Sequence, residues 1–317
     1  MISGLVKTID ALRHTANPRG MTFSASDRRP NLAWLLFMQL RPIQWTKNGL
    51  LFAALIFTIP RVTFAMFGSA AVGFFLFSLV SGCVYILNDL VDLEADRNNP
   101  DKWHRPMASG LLKPAYAIGV GFGVWVISLW LAWRLNELFF GVLLCYFCLN
   151  VLYSLYLKRI ALVDVLTIAA GFVMRAAAGG MAIGVRLTPW FLCCALILSL
   201  FLAVGKRRYE FVAWKARRRE GRQVLQHYSL PLLNLLSTVL AGALIVTYIL
   251  FTCSPTHTRY LTLTIPFVGF GVLRYYHLVH LKQLGGRPEI LLLKDKPVLV
   301  TVSLFVISVI TILYLFN

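Results

Sequence analysis

The chain has 317 residues, of which 58% are hydrophobic and only 14% are charged. A water-soluble protein of this length has too little interior to bury so much apolar surface. The formal net charge is nevertheless +18, because Lys and Arg total 31 against 13 Asp and Glu. The composition excludes a soluble enzyme and indicates a membrane protein with basic connections between apolar stretches.

The first 33 residues are polar and mixed. They are expected to form a cytoplasmic segment without a cleavable signal peptide, since they contain no apolar run. From residue 34 to residue 317 apolar stretches alternate with short connections, which predicts a single domain built from membrane-spanning helices. The predicted spans number nine: 46–60, 67–97, 114–134, 138–157, 161–184, 189–206, 231–252, 260–281 and 297–316.

The basic residues are distributed unequally between the two sides of this predicted bundle. With a cytoplasmic N-terminus, 25 of the 31 Lys and Arg residues fall on the cytoplasmic side and four on the other. This asymmetry places the C-terminus outside by the positive-inside rule. We therefore attribute the basic block between Lys206 and Arg222 to topology in a cell (inner) membrane and expect no nucleic-acid partner.

Scarce acidic residues crowd the end of the second predicted span, in the stretch NDLVDLEAD. Residues four apart lie on one face of a helix, so Asn88, Asp92 and Asp96 form a ladder, with Asp89 at its edge and Glu94 pointing elsewhere. Like charges in such a ladder repel and weaken the helix. A divalent cation would neutralise them, and carboxylate and amide oxygens suit Mg²⁺. A solvated helix end is the alternative.

Basic and polar residues mark the other predicted cytoplasmic ends. The candidates for contact with substrate phosphates at these ends are Lys47, Arg105, Tyr153, Lys158, Lys206, Arg207 and Glu210. Two ionisable residues, Asp164 and Arg175, lie eleven apart in the fifth predicted span and are expected to share a face. A metal with Lys and Arg beside an apolar bundle suits a phosphorylated lipid or a diphosphate leaving group. For Arg175 a structural role between packed helices is an equal alternative.

Several of these stretches together resemble the UbiA superfamily of intramembrane prenyltransferases. NDLVDLEAD fits the superfamily's NDxxDxxxD signature, and RPIQWTKN, GFVMRAAAGG, GKRRYE and RPEILLLKD resemble the branch that transfers phosphoribose to a polyprenyl (decaprenyl-type) phosphate. The resemblance implies nine helices around a central cavity and Mg²⁺ held at the acidic stretch by Asn88, Asp89, Asp92 and Asp96. It also implies 5-phosphoribosyl 1-diphosphate as donor and a cell-envelope precursor of arabinan type as product.

The chain departs from the aromatic prenyltransferases of that superfamily in two places. Their second acidic motif, DxxxD, is replaced by GKRRYE, and Tyr153 and Lys158 are five apart where those enzymes have YxxxK. Basic residues at the first place suit a donor that carries an extra phosphate. Within this reading Arg105, Lys206 and Arg207 contact the donor, and Lys47, Lys158 or Arg175 orients the lipid phosphate.

Two other functions compete with phosphoribosyl transfer. One is an aromatic or quinone-type prenyltransferase that uses a prenyl diphosphate, and the other is a transporter. A transporter is disfavoured because the sequence shows no internal repeat. The expected partners are the two substrates and the lipid bilayer, and a homo-oligomer is left open.

Overall fold

The computed structural model describes residues 30–99, 102–217, 223–254, 258–282, 284–286, 291 and 294–316. Most of the polar segment 1–33 and of RPEILLLKD lies outside these ranges. The α-helices are α1 (Leu32–Gln39), α2 (Ala53–Ile56), α3 (Phe64–Val91), α4 (Leu93–Arg97), α5 (Pro114–Leu135), α6 (Glu137–Leu155), α7 (Val163–Ala182), α8 (Pro189–Arg217), α9 (Leu230–Thr252), α10 (Ile265–His280) and α11 (Lys296–Phe316). The described residues also form four 3₁₀ helices, Pro42–Phe52, Leu157–Arg159, Gln223–His227 and Arg259–Thr264.

The described residues form an all-α, multi-pass membrane bundle, as the sequence predicts. Seven of the described helices, α3, α5, α6, α7, α8, α9 and α11, are long and apolar enough to cross a bilayer. The class is therefore confirmed, whereas the number nine is not. The central cavity stays a prediction.

The first and eighth predicted spans have a different local structure from the one expected. The first is the 11-residue 3₁₀ helix Pro42–Phe52 followed by the four-residue α2. The eighth is a six-residue 3₁₀ helix followed by the 16-residue α10. A 3₁₀ helix rises about 2 Å per residue, so the first segment still extends about 28 Å, close to the roughly 30 Å of a hydrocarbon core.

Helix α3 is the centre of the first half of the bundle. It packs against α5, α6 and α7, and its buried side chains join Leu51, Phe139 and Leu143 in one apolar core. Its 28 residues extend about 42 Å, which is more than the hydrocarbon core requires. The end that carries Asn88 therefore projects to the bilayer surface, where water can solvate polar side chains.

A close backbone contact fixes the 3₁₀ helix Pro42–Phe52 against α7. A Cβ atom added at Gly179 would lie 2.1 Å from the carbonyl oxygen of Leu51. Only glycine fits such an approach, which explains the small-residue run AAAGG. The contact brings Asn48 beside Arg175 of α7. The second half of the bundle then follows as α8 on α7, α9 on α8, and α10 and α11 in succession.

Candidate functional site

The acidic stretch lies where α3 ends, and the helix is interrupted there. The sequence predicts one helix over 67–97, but α3 ends at Val91 and α4 begins at Leu93. Asp92 adopts φ −96° and ψ 12° between them, and repulsion among neighbouring carboxylates weakens a helix at such a point. The backbone N–H of Asp92 still donates to Asn88 (3.0 Å) and that of Asp96 to Asp92 (2.8 Å), so the spacing of one turn per step is retained.

Asp89 is buried, with only 3% of its surface exposed. Gln39 Nε2 donates to its Oδ2 at 2.7 Å, and Arg105 Nη1 donates to its Oδ1 at 2.9 Å. Arg41 also donates to Oδ1, from a backbone in the left-handed region (φ 53°) that non-glycine residues rarely adopt. Both oxygens of Asp89 thus accept hydrogen bonds from protein side chains, and its predicted role as a metal ligand stays a prediction.

Asp96 is equally buried, at 1% exposure. Arg105 Nη1 pairs with its Oδ2, and Lys102 Nζ lies 3.1 Å from its Oδ1. Arg105 therefore bridges two carboxylates, Asp89 and Asp96, and ties the loop after α4 to the end of α3. This bridge stabilises like charges that would otherwise repel each other.

Asn88 and Asp92 face the segment at the end of α6. Lys158 Nζ donates to Asp92 Oδ1 at 2.6 Å, and Ser154 Oγ donates to Asn88 Oδ1 at 3.3 Å. The Asp92 side chain keeps 29% of its surface exposed and that of Lys158 keeps 18%. Asp92 is consequently the residue of the acidic stretch whose carboxylate is accessible to solvent and lies one turn from an amide oxygen, that of Asn88.

A second charged cluster surrounds Asp164 at the start of α7. Arg207 Nε donates to Asp164 Oδ2 (2.5 Å), and Arg207 Nη1 pairs with Glu210. The hydroxyl of Tyr228 donates to Asp164 Oδ1 (2.6 Å) and accepts from the backbone N–H of Leu162 (2.8 Å). Burial and the bond to Asp164 raise the pKa of Tyr228, so its phenol stays protonated. Only 2% of the Arg207 side chain is exposed, which makes it a buried structural partner in this state.

The sequence places GKRRYE at the end of a helix, and this is wrong. Helix α8 continues to Arg217, so Lys206, Arg207 and Glu210 lie within it. Arg207 pairs with Asp164 and with Glu210 inside this helix, so its charge is neutralised there. The unpaired carbonyl groups of a helix C-terminus therefore do not lie at Lys206 and do not attract its positive charge.

Arg175 belongs to a third network, at membrane depth. Its guanidinium donates to Asn48 Oδ1 (2.8 Å), to the carbonyl of Gly171 (2.8 Å) and to the hydroxyl of Tyr146 (2.7 Å). The rings of Phe77, Tyr146 and Phe172 lie about it within cation–π range. Arg175 and Asp164 thus serve separate networks, and Arg175 joins the 3₁₀ helix Pro42–Phe52 to α6 and α7.

The remaining predicted residues lie beside the first two clusters. Tyr153, in the last turn of α6, is half-buried within electrostatic range of Arg207. Lys47 and Lys206 are also half-buried, on the 3₁₀ helix Pro42–Phe52 and on α8. The turn after α6 connects the clusters, because Lys158 contacts the acidic stretch and Leu162 contacts Tyr228.

Sequence reasoning missed several functional neighbours. Gln39 contacts Asp89, Ser154 contacts Asn88, and Tyr228 contacts Asp164. Gln39 and Tyr228 carry no signal in the sequence. Ser154 does, because it precedes Lys158 by the same four residues that separate Asn88 from Asp92.

The acidic stretch fits Mg²⁺ through few protein ligands. Within the described residues, no three His, Cys, Asp or Glu side chains stand close enough to hold a metal together. Asn88 and Asp92 instead present one amide and one carboxylate oxygen a helical turn apart. Mg²⁺ usually retains waters and is bound through one or two carboxylates plus substrate phosphates, so this donor set is sufficient.

The sequence and fold match one known family. Residues 48–292 match the model of the UbiA prenyltransferase family, which covers most of the chain. The chain belongs to the UbiA family. It is 32% identical over 90% of its length to the decaprenyl-phosphate phosphoribosyltransferase of Corynebacterium glutamicum, and the match covers 88% of that protein. The enzyme of the same name from Mycobacterium tuberculosis is also 32% identical, over 84% of this chain and 90% of its own.

Solved structures confirm the UbiA fold. A UbiA homologue from Archaeoglobus fulgidus, bound to GPP and Mg²⁺, superposes with a TM-score of 0.67 at 18% identity and covers 88% of this chain and 99% of its own. A digeranylgeranylglyceryl phosphate synthase gives a TM-score of 0.63 at 17% identity, over 88% of this chain and 97% of its own. Together with the family match, the apolar spans make this chain a membrane-embedded transferase of the UbiA family.

Proposed function

We propose that this UbiA protein transfers the 5-phosphoribosyl group from phosphoribosyl diphosphate to a polyprenyl phosphate of decaprenyl type. The products are polyprenyl-phosphoribose and diphosphate, and the lipid product is a precursor for cell-envelope arabinan. The observation that carries the proposal is the placement of Asn88 and Asp92 at the end of α3, where Ser154 donates to Asn88 and the basic side chain of Lys158 pairs with Asp92. It stands in a chain that aligns over 90% of its length with a decaprenyl-phosphate phosphoribosyltransferase.

The reaction suits the charges at this site. Asn88 and Asp92, with Asp96 behind them, are the residues that would hold Mg²⁺, which neutralises the diphosphate leaving group when bound. Asp89 is left out of this set, because both of its oxygens accept hydrogen bonds, from Gln39, Arg41 and Arg105. Among the described residues, Asp96 Oδ1 in contrast accepts no hydrogen bond and has only its ion pair with Lys102.

Basic side chains orient the two phosphorylated substrates. Arg105 and Lys206 contact donor phosphates, and Lys47 contacts the lipid phosphate. Arg207 and Glu210 hold the helix that carries Lys206, and Tyr153 lies between the two clusters. Arg175 fixes the 3₁₀ helix that carries Lys47.

The covalent step needs little assistance from acids or bases. An oxygen of the lipid phosphate attacks the anomeric carbon, a new carbon–oxygen bond forms, and the bond to diphosphate breaks with its electron pair leaving on oxygen. The nucleophile is already anionic, so no general base has to remove a proton. The described acidic groups accordingly need only bind and orient, which agrees with their engagement by basic partners.

An assay with defined substrates tests the assignment. Purified protein with radiolabelled phosphoribosyl diphosphate, polyprenyl phosphate and Mg²⁺ is expected to transfer label into the lipid fraction. Chelation of the metal is expected to stop the transfer. Prenyl diphosphate with an aromatic acceptor such as 4-hydroxybenzoate is expected to give no product. Aromatic prenylation without labelled lipid would show instead that this is a quinone-type prenyltransferase.

The active site is proposed to face the cytoplasm of a cell (inner) membrane. In a cysteine-free background, a cysteine that replaces exposed Ser109, after α4, is expected to be shielded from an impermeant maleimide applied to intact cells. A cysteine that replaces exposed Arg259, between α9 and α10, is expected to react. The reverse pattern would overturn the orientation. Permeabilised cells, in which both positions label, serve as the control.

A further inference from the structure

The segment at the end of α6 contacts the proposed metal ligands with matched spacing. Ser154 donates to the amide oxygen of Asn88, and Lys158 donates to a carboxylate oxygen of Asp92. Ser154 and Lys158 are four residues apart, as are Asn88 and Asp92. About one turn of the chain at the end of α6 therefore faces one turn at the end of α3. Both oxygens that are proposed to hold the metal are therefore already occupied by donors from a single segment.

We propose that the ammonium group of Lys158 is an internal cation that takes the metal's place at Asp92 until the donor diphosphate arrives. The inference rests on the proposed function, since the metal and donor are those of the proposed reaction. The Lys158 ammonium lies 2.6 Å from Asp92 Oδ1, and a metal bound to that oxygen would repel it at close range. When the donor enters with its metal, Lys158 exchanges the Asp92 oxygen for a phosphate oxygen.

Lys158 differs from the other cations at this site in ways that suit an exchange. Its carboxylate partner, Asp92, has 29% of its side chain exposed, whereas the carboxylates that pair with Arg105 are only 2–3% exposed. Lysine carries a compact charge on a flexible stem, so it changes partners at low cost. Arg105 in contrast bridges Asp89 and Asp96, which are almost completely buried, and has no comparable freedom.

The exchange couples metal binding to donor binding. Without donor, the Lys158 ammonium competes with the metal for the Asp92 carboxylate and so weakens the binding of the metal. With donor, the same ammonium is attracted to the diphosphate and the competition ends. Because such coupling is reciprocal, the donor tightens the metal as much as the metal tightens the donor.

Mn²⁺ titrations of the full-length protein in lipid nanodiscs, followed by electron paramagnetic resonance, test this coupling. They are made with and without phosphoribosyl diphosphate, in the absence of any lipid acceptor. Lys158→Gln is expected to bind Mn²⁺ alone about three- to tenfold more tightly than the natural protein, the size of a partly exposed ion pair. The donor is expected to tighten Mn²⁺ binding less in this variant than in the natural protein.

Two further variants separate exchange from general electrostatics. Arg159→Gln removes the same charge from the exposed neighbouring residue, and its affinity for Mn²⁺ alone is expected to stay within about twofold of the natural protein. Lys158→Arg keeps the charge and is expected to restore weak binding of Mn²⁺ alone. Equal or weaker binding of Mn²⁺ alone to Lys158→Gln would overturn the exchange, as would an equal gain in Arg159→Gln. If the natural protein binds no Mn²⁺ both with and without phosphoribosyl diphosphate, the proposed metal site is overturned instead.

Discussion

Replacement of Asp92 by Asn is expected to reduce phosphoribosyl transfer by at least about 10³-fold while the bundle stays folded. Removal of a metal-binding carboxylate costs several kcal/mol of charge stabilisation in the transition state, and each 1.36 kcal/mol is about tenfold in rate. The fold tolerates the change because Asp92 is 29% exposed and its ion pair with Lys158 is open to solvent. The measurement is the initial rate of label transfer into lipid, across a range of Mg²⁺ concentrations.

Glu94→Gln provides a matched control for this variant. It removes the same charge two residues away, from an exposed side chain in α4. Its rate is expected to stay within about threefold of the natural protein, since charges that water solvates interact only weakly with their neighbours. Near-natural activity of Asp92→Asn, or an equal loss in Glu94→Gln, would contradict the assignment of Asp92.

The sequence predicts the all-α membrane bundle because the apolar length of a span is a property of a single segment. The 28-residue α3 and the acidic stretch at its end are found where the pattern places them. The segment Pro42–Phe52 is different, because its 3₁₀ form depends on the contact of Leu51 with Gly179 on a distant helix. No local pattern contains that contact, so the sequence predicts an ordinary helix there.

The candidate site shows the same division between local and long-range information. The spacing of Asn88, Asp92 and Asp96 is local, and the backbone bonds preserve it through the break at Asp92. The partners of the charges are long-range: Asp89 with Arg41, and Arg207 with Asp164, 43 positions apart. Sequence alone identifies such groups as charged and near an active site, but it does not decide which are paired and buried.

Arg207 is the residue at which the difference between a buried, paired charge and a substrate contact has its largest expected effect. Arg207→Ala is expected to destabilise the protein by about 3–5 kcal/mol, because it leaves the buried carboxylate of Asp164, which is 0% exposed, without its cation. The apparent melting midpoint in detergent is expected to fall by roughly 5–15 °C. Lys206→Ala, at a half-buried neighbour, is expected to leave the midpoint nearly unchanged and to raise the KM for phosphoribosyl diphosphate by about tenfold.

A double variant distinguishes a structural pair from a lost donor contact. Asp164→Asn combined with Arg207→Met removes both buried charges while the amide oxygen still accepts from Tyr228, so at least half of the lost midpoint is expected to return. Glu210 then loses its ion pair with Arg207, but 23% of its side chain is exposed and water solvates it. If Arg207→Ala melts like the natural protein and only its donor KM rises, Arg207 reaches the donor phosphates as the sequence predicts, and the buried pair does not describe the working enzyme.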